Sequence, residues 1–428
     1  MSIRSILNNR VVRNANWMIS EQIVQMLISF VISMITTRYL GPSNYGIINY
    51  CAAYVAFFSS VCSLGLEGVL VKELVSNPEK EGEFVGTALV MRIIAGMLSV
   101  ISILIILFIV DDGNKTVMLV GFLQSLVLWF KAFEVMDFWF QSKLKSKYVA
   151  IIKMASYIIV ALYKIFILAT AKSIEWFAFS TSLDFLVIAV LLIIVYPRNG
   201  GPTISFKFST AKSLLKNSYH FIISGLFVTV YTQMDKIMIE KFLNETQVGY
   251  YSIATGIFGY WVLVTTALTN AARPSIMSQK GNDEQKYLKR LKQLYAILIW
   301  SSIAVALFFT LFGRFVIPLL YGKAYNPSVP IVSITMWYAA FSVIGTARGI
   351  WIVCENKNRY VKYFMMIGAA VNVVLNAILI PLIGTYGAAI ATFVTQIVTC
   401  LIAPLLFKET RIHTKYVLEA FLLKGALK

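Results

Sequence analysis

The residues best suited to chemistry in this sequence are ionisable side chains that interrupt long apolar stretches. The basic members of this set are Arg92, Lys131, Lys153, Lys164 and Arg348. The acidic members are Glu134 and Asp235. A charge inside a hydrocarbon layer costs about 2.5–3.5 kcal/mol on insertion scales, so such residues usually face a bundle interior or a wet cavity. The set therefore predicts a charged binding cavity.

Their spacing suggests how these charges are arranged. Lys131 and Glu134 are three residues apart on a predicted helix and can pair. Lys153 and Lys164 are eleven residues apart, three turns along one helix face. The excess of basic residues predicts a cationic cavity for an anionic substrate, with Glu134 and Asp235 as candidate ion carriers. A second reading stays open for Arg92 and Lys153, because long basic side chains near a helix end can extend to the headgroups.

The elements that position these residues are membrane-spanning helices. Apolar residues make up 58% of the 428-residue chain and charged residues 14%, against about 45–50% and 25% in soluble domains. Since lipid offers no partners to backbone groups, the spans must be helical. Stretches of about 20 apolar residues predict an all-α membrane protein with about twelve transmembrane helices: 17–37, 45–66, 87–110, 117–139, 149–171, 175–196, 218–239, 249–271, 294–313, 329–353, 363–383 and 386–407.

The distribution of basic residues predicts the orientation. With the N-terminus inside, 26 of the 38 Lys and Arg residues fall in inside loops or the termini, and 6 fall in outside loops. This bias places both termini in the cytoplasm. The net charge of +18 is thus spread between spans, and no nucleic-acid partner is predicted.

The chain also carries the signs of a duplication. Residues 13–46 align without gaps on residues 216–249. Two parallel six-helix halves around a central cavity are a common transporter plan. The predicted division is an N-terminal half (1–200), a cytoplasmic linker (201–217), a C-terminal half (218–407) and a cytoplasmic tail (408–428).

No metal, cofactor or nucleotide is predicted. Cys51, Cys62, Cys354 and Cys400 all lie in apolar stretches without metal-ligand spacing. A phosphate-binding GxxxxGK[ST] loop is also missing from the sequence, which disfavours a nucleotide-driven pump.

Five short strings resemble one family of membrane proteins. They are RYLGP at 38–42 followed by Tyr-Gly at 45–46, WFQ at 139–141, DKIMI at 235–239 followed by VGYY at 248–251, LYGKAY at 320–325 and GTYGAA at 384–389. In order and position they resemble the Wzx-type O-antigen or capsular repeat-unit flippases of the multidrug/oligosaccharidyl-lipid/polysaccharide exporter superfamily. Ser142 and Lys143 depart from the Gly-Leu or Gly-Glu of many members.

The resemblance implies a transporter, not an enzyme, in the bacterial inner membrane. Its substrate would be an anionic oligosaccharide linked to undecaprenyl pyrophosphate, moved to the periplasmic leaflet in contact with membrane lipids. An O-antigen polymerase and a chain-length regulator are the implied protein partners. A multidrug or lipid II exporter of the same superfamily stays open. A membrane-embedded polymerase or glycosyltransferase is less favoured, because the longest predicted outside loop, 314–328, holds Arg314 and Lys323 but no carboxylate.

Overall fold

A computed structural model describes residues 10–424, with side chains described at residue 17 and from residue 20 onward. The predicted inside charges Arg4 and Lys428 lie outside this range, and Arg10 and Arg13 are described in backbone only.

Within that range the fold is all-α, as the sequence predicts. The first helices are α1 (Arg10–Cys62), α2 (Leu66–Ser76), α3 (Glu81–Val110), α4 (Lys115–Phe130), α5 (Val135–Ser142), α6 (Ser146–Ala169) and α7 (Ile174–Arg198). They are followed by α8 (Phe208–Phe242), α9 (Glu245–Met277), α10 (Glu284–Tyr321), α11 (Ser328–Cys354), α12 (Val361–Ile383), α13 (Thr385–Ile397) and α14 (Arg411–Phe421). A π turn, Val398–Ile402, and the short helix Ala403–Leu405 continue α13.

Eleven helical stretches in the described part of the chain are long and apolar enough to cross a membrane. The first of them contains a kink at Gly41, whose φ of 72° suits a residue without Cβ. Pro42 follows and has no N–H to continue the hydrogen-bond ladder. Each arm of α1 has about the 20 residues that a span needs. The protein is therefore a multi-pass membrane protein, in agreement with about twelve predicted spans.

Several local features were not part of the prediction. The predicted span 117–139 corresponds to one helical stretch, Lys115–Ser142, and within it the 3₁₀ turn Lys131–Glu134 joins α4 to α5. Helix α8 begins at Phe208, so the non-helical part of the predicted linker 201–217 is short. The predicted tail 408–428 contains α14, which buries His413 and Val417.

The chain forms two compact units whose boundary lies inside α8. Unit 1 comprises the chain to Leu40 together with Ile47–Thr229, and unit 2 comprises Gly41–Gly46 together with the chain from Val230. The six residues around the kink of α1 thus belong to unit 2, although both arms of that helix continue into unit 1.

The core of unit 1 forms around α2. Leu66, Leu70 and Leu74 recur every four residues and so share one helix face, which is buried. They pack in one cluster with Trp139 of α5 and Tyr196 of α7. This core holds α5 and α7 in place. Both helices carry charged residues of the unit.

The core of unit 2 is built on α10 and α11. Leu291 and Leu298 of α10 cluster with Ile344 and Trp351 of α11, and Val417 of α14 completes the cluster. Helix α14 is therefore part of the folded unit.

Candidate functional site

The first group of polar side chains in unit 1 lies around the 3₁₀ turn between α4 and α5. Arg92 of α3 is only 3% exposed, and its Nη2 lies 3.5 Å from Glu134 Oε2. Lys131 donates instead to Ser59 Oγ at 3.1 Å. The predicted Lys131–Glu134 pair is therefore wrong. The physical reason is the free-energy cost of an unpaired charge. This cost is higher for the buried Arg92 guanidinium than for the partly exposed Lys131 ammonium.

A second polar group joins α1, α5 and α6. Lys153 Nζ lies 2.9 Å from Asp137 Oδ2, and Gln141 donates to the other carboxylate oxygen of Asp137 at 3.1 Å. Tyr157, one turn further along α6, donates to Glu21 Oε1 at 2.7 Å. The Lys153 ammonium is thus neutralised by a carboxylate within its own unit.

The third polar group lines a cavity of about 140 Å³ between α1, α6 and α7. Lys164 of α6 and Asp184 of α7 both line this cavity. Ser156 Oγ donates to Asp184 Oδ1 at 2.6 Å. Lys153 and Lys164, which the sequence places on one face of α6, therefore lie in different electrostatic surroundings.

Arg348, the last of the predicted cationic residues, lies in unit 2 and not with the other four. It is 2% exposed, donates from Nη1 to the carbonyl of Thr399 at 2.6 Å and lies 4.6 Å from the centroid of the Phe364 ring. Thr399 belongs to the π turn after α13, where i→i+5 hydrogen bonds replace the α pattern. Arg348 is thus enclosed among helices of its own unit.

The predicted carboxylate Asp235 is the centre of a buried polar cluster in unit 2. It is 2% exposed, and its Oδ1 accepts from Asn376 Nδ2 at 2.5 Å. Its Oδ2 accepts from Thr392 Oγ1 at 2.7 Å and from the Tyr251 hydroxyl. Asn372 forms the next shell, donating to Thr392 at 3.3 Å and accepting from Asn376 at 3.0 Å. Asn376, Thr392 and Tyr251, which donate to this carboxylate, are all neutral, so none of them forms an ion pair with it.

Sequence reasoning found Asp235 but assigned no role to Tyr251, Thr392, Asn372 or Asn376. A signal was present for the two amides, because they are four residues apart in the otherwise apolar helix α12 and so share one face. Tyr251 lies in the string VGYY at 248–251 that carries the family resemblance, but nothing in that string indicates a contact with Asp235.

Sequence comparison identifies relatives over most of the chain. A capsular polysaccharide biosynthesis protein of Staphylococcus aureus is 21% identical, with 90% of this chain and 96% of that protein covered. A putative O-antigen transporter of Escherichia coli K12 is 20% identical (87% and 90% covered). A probable flippase of Haloferax volcanii is 22% identical (89% and 80% covered).

Solved structures share the fold at low identity. The lipid II flippase MurJ in an inward closed conformation superposes with a TM-score of 0.70 at 15% identity, over 96% of this chain and 90% of that one. An inward-facing multidrug transporter of the MATE family gives 0.68 at 12% identity, over 94% and 96%. Residues 35–330, well over half of the chain, match the family described as polysaccharide biosynthesis protein. The chain therefore belongs to the polysaccharide biosynthesis protein family.

Proposed function

We propose that the protein translocates lipid-linked oligosaccharide repeat units, of an O-antigen or a capsule, across the bacterial inner membrane by alternating access. The lipid carrier would be undecaprenyl pyrophosphate and the direction would be from the cytoplasmic to the periplasmic leaflet. The observation that carries this proposal is the series of polar side chains along membrane-spanning helices of unit 1, from Glu21 through Lys153 to Lys164. Family membership supports the same function.

The physical argument concerns the cost of moving sugars through lipid. Burying one unpaired hydroxyl or amide in an apolar medium costs about 4–8 kcal/mol. An oligosaccharide carries many hydroxyls and its lipid linkage carries charge, so it does not cross unaided. Polar side chains on helices that span the membrane replace part of its hydration, while the lipid tail stays in the hydrocarbon.

The predicted cationic residues differ in whether a carboxylate of the protein already neutralises them. Arg92 and Lys153 are paired with carboxylates, and Arg348 is enclosed in unit 2. Lys131 and Lys164 form no ion pair with the carboxylates of the described chain. These two lysines are therefore the strongest candidates for contact with the glycan.

Coupling to an ion gradient is the second part of the proposal, with Asp235 as the carrier. The Asp235 carboxylate is held by neutral amide and hydroxyl groups, so it can gain a proton or bind a monovalent cation without first breaking an ion pair with them. Glu134, the other candidate, is held by Arg92 at 3.5 Å. The membrane potential adds about 2.3 kcal/mol per charge per 100 mV to such a step.

Deletion and complementation in the source organism test the function. Surface polysaccharide is read on a gel, and lipid-linked units are assigned to a leaflet by their accessibility to a membrane-impermeant glycosidase. Loss of polymer with units trapped on the cytoplasmic face is the expected result. Unpolymerised units on the periplasmic face would point to a polymerase. Unchanged polymer with new drug sensitivity would indicate a drug exporter, and arrest of growth with accumulated lipid II would indicate a lipid II exporter.

A further inference from the structure

The cavity between α1, α6 and α7 combines a small volume with a mixed lining. It measures about 140 Å³, whereas one molecule of liquid water occupies about 30 Å³. The apolar part of its lining consists of Ile28, Ile32, Val160 and Ala161. The polar lining consists of Gln25, Ser29, Tyr157, Lys164, Ser180, Thr181 and Asp184. Its volume suits one ring-sized polar group better than an extended chain.

Several polar side chains of this cavity are accessible within membrane-spanning helices. Gln25, Ser29 and Thr181 are exposed at positions inside spans. Hydrocarbon cannot hydrogen-bond such groups, and polar residues within spans usually face a bundle interior or a water-filled cavity. The cavity is therefore open to its surroundings at Gln25, Ser29 and Thr181.

Lys164 differs from the neighbouring lysine on the same face of α6. Lys153 is neutralised by Asp137 at 2.9 Å. Lys164 and Asp184, by contrast, line one cavity without forming an ion pair with each other. Ser156 holds Asp184 through Oδ1, which draws the carboxylate toward its own side of the cavity. The Lys164 ammonium and Asp184 Oδ2 are thus both left with hydrogen-bonding capacity.

We propose that this cavity is a subsite for one uncharged sugar residue of the transported glycan. Lys164 donates to one ring hydroxyl, and Asp184 accepts from the neighbouring hydroxyl of the same ring. The inference rests on the proposed function, because it assigns one unit of the glycan to this cavity.

The pairing of opposite charges favours an uncharged ligand over an anionic one. A phosphate or an acidic sugar would gain from Lys164 but would also be held close to the Asp184 carboxylate. Two vicinal hydroxyls satisfy both groups, since a hydroxyl both donates and accepts. Ile28 and Val160 in the lining supply apolar groups that can contact the C–H face of a pyranose ring. Hydrogen bonds to charged groups are the strong ones in such a site.

The test measures sugar binding to the purified full-length protein in lipid nanodiscs, by saturation-transfer NMR. The probes are methyl α-glucoside (uncharged, with vicinal hydroxyls), glucuronate (the acidic counterpart) and inorganic phosphate. The variants are Lys164→Gln and Asp184→Asn, both close in size to the native side chains. Lys172→Gln is the matched control, because it removes an ammonium beyond the end of α6 and outside the cavity lining. Melting temperatures establish that each variant is folded.

We expect the wild type and Lys172→Gln to bind the uncharged glycoside, and both cavity variants to bind it at least about tenfold more weakly. If Asp184→Asn binds phosphate or glucuronate more tightly than the wild type and binds the glycoside equally well, the cavity is an anion site. That result would overturn the inference. Glycoside binding that is equal in all four proteins would also overturn it. Because binding is read without transport, a failure here is separate from a failure of complementation, which tests the proposed function.

Discussion

Gly46 and Gly249 are 203 residues apart, the offset that aligns the two copies of the duplicated sequence, and they make reciprocal contacts. Gly46 lies directly against the backbone carbonyl of Glu245, and Gly249 lies directly against the backbone carbonyl of Pro42. Pro42 and Glu245 are related by the same offset. The Ser43 hydroxyl also donates to Glu245 Oε1 at 3.1 Å. This reciprocity supports the duplication that the alignment of residues 13–46 on 216–249 predicts.

Substitution of either glycine by alanine is expected to destabilise the protein. A Cβ at Gly46 or Gly249 would overlap a backbone carbonyl, which cannot rotate away as a flexible side chain can. Overpacking of this kind costs about 1–3 kcal/mol. The measurement is the melting temperature of the purified protein. Gly256→Ala in α9 is the control, because a Cβ there meets no atom within 4 Å, and a melting temperature lowered equally in that variant would contradict the prediction.

Asp235→Asn is expected to abolish ion-driven transport while leaving the fold intact. The amide is close in size to the carboxylate and keeps an oxygen to accept from Thr392 or Asn376, but it cannot exchange a proton or carry a negative charge. We expect surface polymer to fall to the level of the deletion strain. Asp283→Asn, which removes a carboxylate at the start of α10, should retain polymer. Wild-type polymer in Asp235→Asn would remove Asp235 as the carrier.

Arg348→Met is expected to act on stability rather than on sugar binding. The substitution leaves the carbonyl of Thr399 without its buried donor, and such a loss costs about 1–3 kcal/mol. We therefore expect a lower melting temperature with glycoside binding in nanodiscs unchanged. Arg348→Lys should recover part of the stability if its ammonium reaches the same carbonyl. If Arg348→Met keeps wild-type stability but loses glycoside binding, the prediction is wrong and Arg348 belongs to the substrate site.

Much of the fold could be predicted because the bilayer imposes a simple rule on the sequence. Long apolar stretches must be helices, and the predicted spans 149–171, 175–196 and 363–383 differ by only a few residues from α6, α7 and α12. The features that were missed depend on tertiary packing. The 3₁₀ turn at Lys131–Glu134 has no Pro or Gly to mark it, and helix α14 is too short for a span.

The candidate site was predictable in its residue types but not in its pairings. A charge in an apolar stretch can be read from the sequence, since it is rare and costly. Its partner depends on which helices become neighbours. Lys131 finds Ser59, 72 residues earlier, and Arg348 finds the carbonyl of Thr399, 51 residues later. Neither partner lies on the same helix as its residue, so the spacing in the sequence could not identify it.

His413 predicts a pH dependence of stability for unit 2. The ring is fully buried on α14, outside the membrane spans, with Nε2 3.1 Å from the Tyr295 hydroxyl and Trp351 packed 5.0 Å away between ring centroids. Burial first, and then the positive charge of Arg348, lower the pKa of His413 well below its usual value. The native protein therefore holds this side chain neutral.

The sign of the effect follows from the proton count. An unfolded histidine takes up a proton as the pH falls below about 6.5, whereas the native His413 does not until the pH is far lower. Its contribution to stability is fully present above pH 6.5 and is lost as the pH falls, by at most about 1.4 kcal/mol per pH unit. We expect the melting temperature to drop between pH 7 and pH 5 in the wild type and to drop less steeply in His413→Gln. His220→Gln, at an exposed site, should keep the wild-type slope. Equal slopes in all three proteins would show that some other group governs the acid sensitivity.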